Sequence, residues 1–139
     1  PVCMTDYVLS GTLDWTALLA SVSCGLAIDC LLMVNNYRDR NQDKISGKRT
    51  LVVRFGKSFG VNAYMVLGLS AFVLGSVSLC HVTGKWYSFV LMLVYAYHHL
   101  MVARHMRQID GKALNGILGG TARNIFLYGV LFAASLLLF

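Results

Sequence analysis

The sequence contains no glutamate, a single proline and little charge. Of its 139 residues 13% are charged, where an ordinary soluble domain carries about 25%. With 57% hydrophobic residues and a mean hydropathy of +0.63, this shortage excludes an ordinary soluble domain and indicates a polytopic membrane protein. Without glutamate, any carboxylate chemistry rests on six aspartates. Cys3, Cys24, Cys30 and Cys80 lack the close paired spacing of a zinc site. Two of them lie in an apolar run, and all four read as small apolar residues. The opening Pro1-Val2-Cys3 shows neither an initiator methionine nor a basic stretch. No signal peptide is read there, and the chain is expected to begin inside a longer protein. There is no low-complexity segment and no convincing internal repeat.

What is present is a set of long apolar runs. A spanning helix needs about 20 such residues to cross about 30 Å of hydrocarbon. Residues 1–14 are mixed and read as a loop. Spans are expected at about 15–36, 61–80, 86–103 and 121–139, with loops over 37–60 and 104–120. Trp15 and Trp86 mark interfaces. Gly68, Ala71 and Gly75 are small enough to let helices approach closely. Gly47 ends any helix carried past the membrane, and the stretch from Leu51 to Lys57 reads as a short surface helix bounded by Gly56. The fold class is therefore an all-α membrane protein with four transmembrane helices. Eleven of the twelve basic residues fall in the first and third inter-span loops, counting Arg123 at the entry of the last span, and only Lys85 lies on the other side. That asymmetry places those loops in the cytoplasm, with both ends of the chain facing outward. The expected location is the cell (inner) membrane. The lipid bilayer is an expected partner; nucleic acid is not.

The densest feature is the polar stretch from Asn35 to Lys57, NNYRDRNQDKISGKRTLVVRFGK, which holds seven of the twelve basic residues and two of the six acidic ones. Asp39 and Asp43 are four apart, so on a helix their carboxylates share a face. Two carboxylates at that spacing suit one hard cation such as Mg²⁺, which is typically held by one or two carboxylates plus substrate phosphates. Asn35 and Asn36 add amide groups one turn earlier. Arg38, Lys48 and Arg49 suit phosphate oxygens. The competing reading is a solvated basic loop that binds anionic lipid heads, and D-x-x-x-D alone does not decide between them. Asp29 interrupts the first span. A carboxylate there normally faces a bundle interior or a wet cavity, and Asp29, Asn36 and Asp43 fall on one helical face if the helix continues. His98 and His99 suggest a metal or haem pair, but adjacent histidines on a helix point apart, which favours packing. Tyr87, Tyr95 and Tyr97 suit an apolar tunnel or simple packing, and Arg123-Asn124 suits phosphate or a helix entry.

The run NNYRDRNQDKISGKRTLVVRFG resembles the second aspartate-rich motif of the UbiA superfamily of intramembrane prenyltransferases. It is most similar to the branch acting on 1,4-dihydroxy-2-naphthoate in menaquinone biosynthesis. The stretch Arg104-His105-Met106-Arg107-Gln108-Ile109-Asp110 fits the same branch, and the resemblance covers most of the chain. It implies that the four spans are the last four of a nine-helix bundle. It implies that Asp39 and Asp43 bind Mg²⁺ bridging to a polyprenyl diphosphate, that Arg38, Lys48 and Arg49 contact the diphosphate, and that Asp29, Asn35 and Asn36 line the cavity. It further implies transfer of the prenyl group to 1,4-dihydroxy-2-naphthoate with loss of the ring carboxylate, giving demethylmenaquinone. The first aspartate-rich motif of the family is absent from this chain, so a C-terminal portion, inactive alone, is expected. Another aromatic acceptor, such as 4-hydroxybenzoate or a porphyrin-type ring, stays open. So does a four-span carrier or lipid-binding subunit, although concentration of the polar groups at one face favours an active-site rim over a conduit.

Overall fold

In hydrocarbon a chain must satisfy its backbone polar groups internally, which long apolar runs do as helices. The structure, a computed structural model, describes residues 2–139. Among the described residues there is no strand. The elements are α1 (Val2–Ser10), α2 (Trp15–Ile45), α3 (Leu51–Phe55), α4 (Lys57–Thr83), α5 (Met92–Gln108), a 3-10 turn (Gly111–Ala113) and α6 (Leu114–Leu138). Helix α2 packs most extensively on α4; α5 bridges α4 and α6, and α6 returns to α2.

Three helices, α2, α4 and α6, are long and apolar enough to cross a membrane. The span expected at 86–103 begins later: residues 86–91 form turns, and α5 has 17 residues, about 26 Å at the helical rise. Three other expectations are corrected. The loop assigned to residues 1–14 contains α1; Pro1 lies outside the described residues. The loop assigned to 37–60 is helical as far as Ile45, because no glycine or proline interrupts residues 37–45 and polar side chains there propagate a helix as readily as apolar ones. The helix stops where the reading placed its end: Gly47 has φ +77°, a conformation that favours glycine. The expected short helix follows as α3, with the Thr50 hydroxyl accepting a bond from Val53 N at 3.2 Å and Gly56 as its end. Finally, the loop assigned to 104–120 is α5 up to Gln108 and α6 from Leu114. Gly116, Gly119 and Gly120 are helical because Leu114, Ile117, Thr121, Asn124 and Tyr128 bury one face at helical spacing; packing outweighs glycine's poor propensity.

The α2–α4 seam is built from small residues. Thr16, Ala20, Ser23 and Ala27 on α2 meet Gly68, Ala71, Gly75 and Ser78 on α4, all of them buried. Close approach lets hydroxyls reach backbone carbonyls across the seam: Ser23 Oγ donates to Ala71 O at 2.6 Å, and Ser78 Oγ to Thr16 O at 3.0 Å. Tyr128 from α6 bonds the Ser23 hydroxyl and fills the space above Gly75. The close approach expected of Gly68, Ala71 and Gly75 is thus realised.

His98 and His99 do point apart. His99 is 1% exposed, stacks on Tyr64 with centroids 4.5 Å apart and places Nε2 3.1 Å from Tyr64 O. Tyr95, one turn away, donates to Gly68 O at 3.3 Å. Two polar rings of α5 therefore lock onto two successive turns of α4. His98 lies on the other side, its Nε2 3.4 Å from Arg123.

A Cβ on Gly68 would strike the His99 ring, whereas one on Gly25 meets nothing within 4 Å. Gly68→Ala in the full-length protein is therefore expected to lower stability by about 1–3 kcal/mol through overpacking. Gly25→Ala gains about 0.5–1 kcal/mol from helix propensity. Thermal unfolding in detergent checks both; equal effects at the two sites would rule out the ring–glycine contact as a determinant.

Candidate functional site

Because α2 continues unbroken to Ile45, one helix carries both the packing seam and the polar stretch. At 3.6 residues per turn, Asp29, Asn36, Asp39 and Asp43 lie within about 80° of one another. That arc is opposite the side on which Ser23, Ala27, Cys30, Val34 and Tyr37 are buried. Asp29 is exposed and Asn35 and Asn36 are half-buried. Asp29 sits about 15 Å along the helix axis from Asp39, on the same face and in the apolar part of the helix.

The two aspartates of the motif have different surroundings. Asp39 receives the fork of the neighbouring Arg38, Nε to Oδ1 at 2.7 Å and Nη2 to Oδ2 at 2.9 Å. This charge-assisted pairing holds the Asp39 carboxyl below its usual range. Arg38 Nη1 also donates to Asn115 Oδ1 at 3.2 Å, tying the site to the first turn of α6. Asp43 is only 8% exposed, because the chain turns back over it: Lys48 N and Ser46 Oγ donate to Asp43 O at 2.9 and 3.1 Å. Its Oδ1 lies 3.4 Å from Lys48 Nζ. Its Oδ2 is buried with no hydrogen-bond partner among the described residues. An orphaned buried carboxylate oxygen is costly and calls for a partner.

Arg38, Asp39, Asp43 and Lys48 are thus gathered at the C-terminal end of α2, while Arg49 is exposed nearby in sequence. Two carboxylates one turn apart, one with an unpartnered oxygen, fit a hard cation that takes the rest of its ligands from phosphate. Mg²⁺ is the cation this donor set suits. Among the described residues no group of three or more His, Cys, Asp or Glu side chains converges, so the protein alone does not form a closed cage.

Two contributors were not singled out from the sequence. Asp110 accepts from Arg40 Nη2 at 2.7 Å and Lys57 Nζ at 2.6 Å, joining the end of α2, the start of α4 and the α5–α6 connection. Being the one acid in the second basic stretch was its only signal. Asn115 carried none, since its role depends on where α6 begins.

Fold and site together define a helical membrane protein with carboxylates and cations massed at one end of its apolar helices. The UbiA prenyltransferase family model matches residues 1–129, and the chain belongs to that family. It is 32% identical over 136 residues to the 1,4-dihydroxy-2-naphthoate octaprenyltransferase of Escherichia coli strain K12, covering 95% of this chain and 43% of that protein. The protein of the same name from Haemophilus influenzae is 30% identical over 137 residues, covering 96% of this chain and 44% of its own length. That from Mycobacterium leprae is 36% identical over 70 residues, 50% of this chain and 24% of the relative. The chain therefore spans less than half the length of the curated relatives it matches. No solved structure matches it.

The two ion pairs hold the Asp110 carboxyl below its ordinary value of 3.8, Lys57 first and then Arg40. A depressed carboxyl pKa stabilises the fold above the ordinary value and loses that contribution as pH falls through the folded one. The full-length wild type should thus lose thermal stability below about pH 4 and in about 1 M salt. Asp110→Asn should start slightly less stable and show a smaller further loss under either condition. Identical pH and salt profiles for the two proteins would exclude the triad as a clamp.

Proposed function

We propose that the whole protein to which this chain belongs transfers a polyprenyl group from polyprenyl diphosphate to 1,4-dihydroxy-2-naphthoate, giving demethylmenaquinone. The observation that carries this reading is the pairing of Asp39 and Asp43 on one face of α2 with Arg38 and Lys48 beside them, in a member of this family. The acceptor comes from the names of the relatives together with the N-N-x-R-D and G-K-R-T-L runs. In this proposal α2, α4, α5 and α6 are the last four of nine helices, α5 crosses the membrane despite its length, and the aspartates face the cytoplasm.

The reaction breaks the allylic C–O bond of the diphosphate, forms a C–C bond to the aromatic ring and expels the ring carboxylate as carbon dioxide. Mg²⁺, when bound, neutralises the departing diphosphate. Asp39 and Asp43 supply its protein oxygens. Arg38, Lys48 and Arg49 donate to the outer phosphate oxygens, Arg with a bidentate fork. To do so Arg38 and Lys48 exchange their carboxylate partners for phosphate, which keeps the charge of the site balanced as substrate enters. Asp29, Asn35 and Asn36 line the same face deeper in the bundle, where a carboxylate persists because the remaining helices of the protein cover it.

The full-length protein with Asp39→Ala or Asp43→Ala should lose at least about 100-fold in Mg²⁺-dependent transfer to the naphthoate, while inserting normally. Product formation is followed in membranes at matched protein levels. Wild-type turnover in both variants would rule out the metal role, and turnover with 4-hydroxybenzoate instead of the naphthoate would reassign the acceptor.

A further inference from the structure

The outer face of α4 carries a feature that the aspartate motif does not use. At the cytoplasm-side end of the bundle a cavity of about 480 Å³ opens between α2, α4 and α5. Its floor is apolar, Tyr37 and Val61, both buried. Its rim is Lys57, Ser58, Asn62 and Arg107. Arg107 donates to Asn62 Oδ1 at 3.2 Å, and no carboxylate lies within ion-pair distance of it among the described residues. Lys57 shares Asp110 with Arg40. Two cations therefore share one carboxylate while Arg107 has no ion-pair partner among the described residues, and the excess positive charge lies at the mouth of the cavity.

Below the rim the same helical stripe turns apolar. Ser58, Asn62, Val66, Leu69, Val73 and Val77 follow one another at spacings of three and four, hence on one face. Val66, Val73 and Val77 are half or more exposed. Two further cavities lie along this stripe. One, about 370 Å³, is lined by Val66, Leu69 and Val73; the other, about 560 Å³, by Val73, Val77 and Phe89. From Asn62 to Val73 the stripe runs about 16 Å, close to half of the about 30 Å hydrocarbon core and so to one leaflet. Beside the rim, the Phe55 and Phe59 rings touch in a tilted pair with centroids 5.1 Å apart, and Phe55 is 56% exposed, as suits a ring at the headgroup level.

From this continuity of a cationic notch with an apolar groove one leaflet long, we propose that α4 holds an anionic phospholipid, its phosphate at Lys57 and Arg107 and an acyl chain along Val66, Leu69 and Val73. Lys57, engaged by Asp110 and Tyr37, keeps one of its three donors free, and Arg107 keeps donors free beyond its bond to Asn62. Ser58 adds a hydroxyl at the same level. Charge selects an anionic lipid over a zwitterionic one, because basic side chains at a membrane surface favour anionic heads. The groove selects a lipid over a free phosphate. The site is separate from the metal-suited face: Tyr37, which floors it, points toward the core side of α2, away from Asp39. The proposal does not depend on the identity of the prenyl acceptor.

The test is native mass spectrometry of the full-length protein in detergent, titrated with dioleoyl phosphatidylglycerol or dioleoyl phosphatidylcholine. The expected result is one phosphatidylglycerol retained per chain with about tenfold preference over phosphatidylcholine. Lys57→Gln combined with Arg107→Gln should abolish that preference, and Val73→Trp, which fills the groove, should weaken both lipids. Lys57→Gln also removes one arm of the Asp110 clamp, so a melting temperature without added lipid no lower than that of Asp110→Asn confirms folding. Equal retention of the two lipids by the wild type overturns the proposal irrespective of any variant. So does displacement of phosphatidylglycerol by millimolar inorganic phosphate, which would mark a site for free phosphate.

Discussion

The close contact between α2 and α4 is the constraint on which the rest of the structure depends. Between apolar helices in lipid there is no hydrophobic drive to associate, so association relies on packing and on hydrogen bonds across the interface. Small residues on both helices meet these needs together. With Ala20, Ser23 and Ala27 against Gly68, Ala71 and Gly75, the backbones come near enough for serine hydroxyls to reach the opposite carbonyls. The same closeness leaves a slot at Gly68 that only an unbranched backbone provides, and the His99 ring fills it. Tyr128 does the equivalent at Gly75 from α6. One seam of small residues thus fixes where all four long helices stand.

Because α2 is one unbroken helix, this seam also orients the polar end. Rotation of α2 is set by the residues buried against α4, and Asp29, Asn36, Asp39 and Asp43 are turned to the opposite side as a consequence. The end of the helix is then held laterally. Arg38 reaches Asn115 at the start of α6, while Arg40 and Lys57 share Asp110. Each of these pairs is partly exposed and individually weak. Their value lies in joining elements far apart in sequence around the two carboxylates. The cationic surplus left over on the α4 side, at Lys57 and Arg107, faces the lipid headgroup level and not the aspartates.

Much of this was readable from the chain. Long apolar runs, Trp15 and Trp86, and the small residues of α4 announced helices packed in a membrane, and Gly47 and Gly56 marked helix ends correctly. The spacing of Asp39 and Asp43 announced a shared face. What misled was composition at the edges of runs. Residues 37–45 are polar and look like loop, yet a helix already nucleated by the preceding apolar turns extends through them because no glycine or proline breaks it. Residues 114–120 are glycine-rich and were read as loop, yet burial of Leu114 and Ile117 makes them helical. The helix that carries the final span, expected at about 121–139, accordingly starts earlier, and α6 is 25 residues long.

The sequence alone determined the class of the protein, the family and the residue types of its polar face, because hydropathy, helical periodicity and a long motif are local properties. The tertiary structure decided which of two like residues does what. Of two adjacent histidines one is core and one meets Arg123. Of two aspartates one is clasped by its neighbour, and the other is buried with an oxygen unpartnered. Asp110, given no role from the sequence, bridges two cations 70 and 53 positions away. Such roles depend on distances between segments that no local pattern encodes. For the Asn35–Lys57 stretch, they follow from the rotation that the α2–α4 seam imposes.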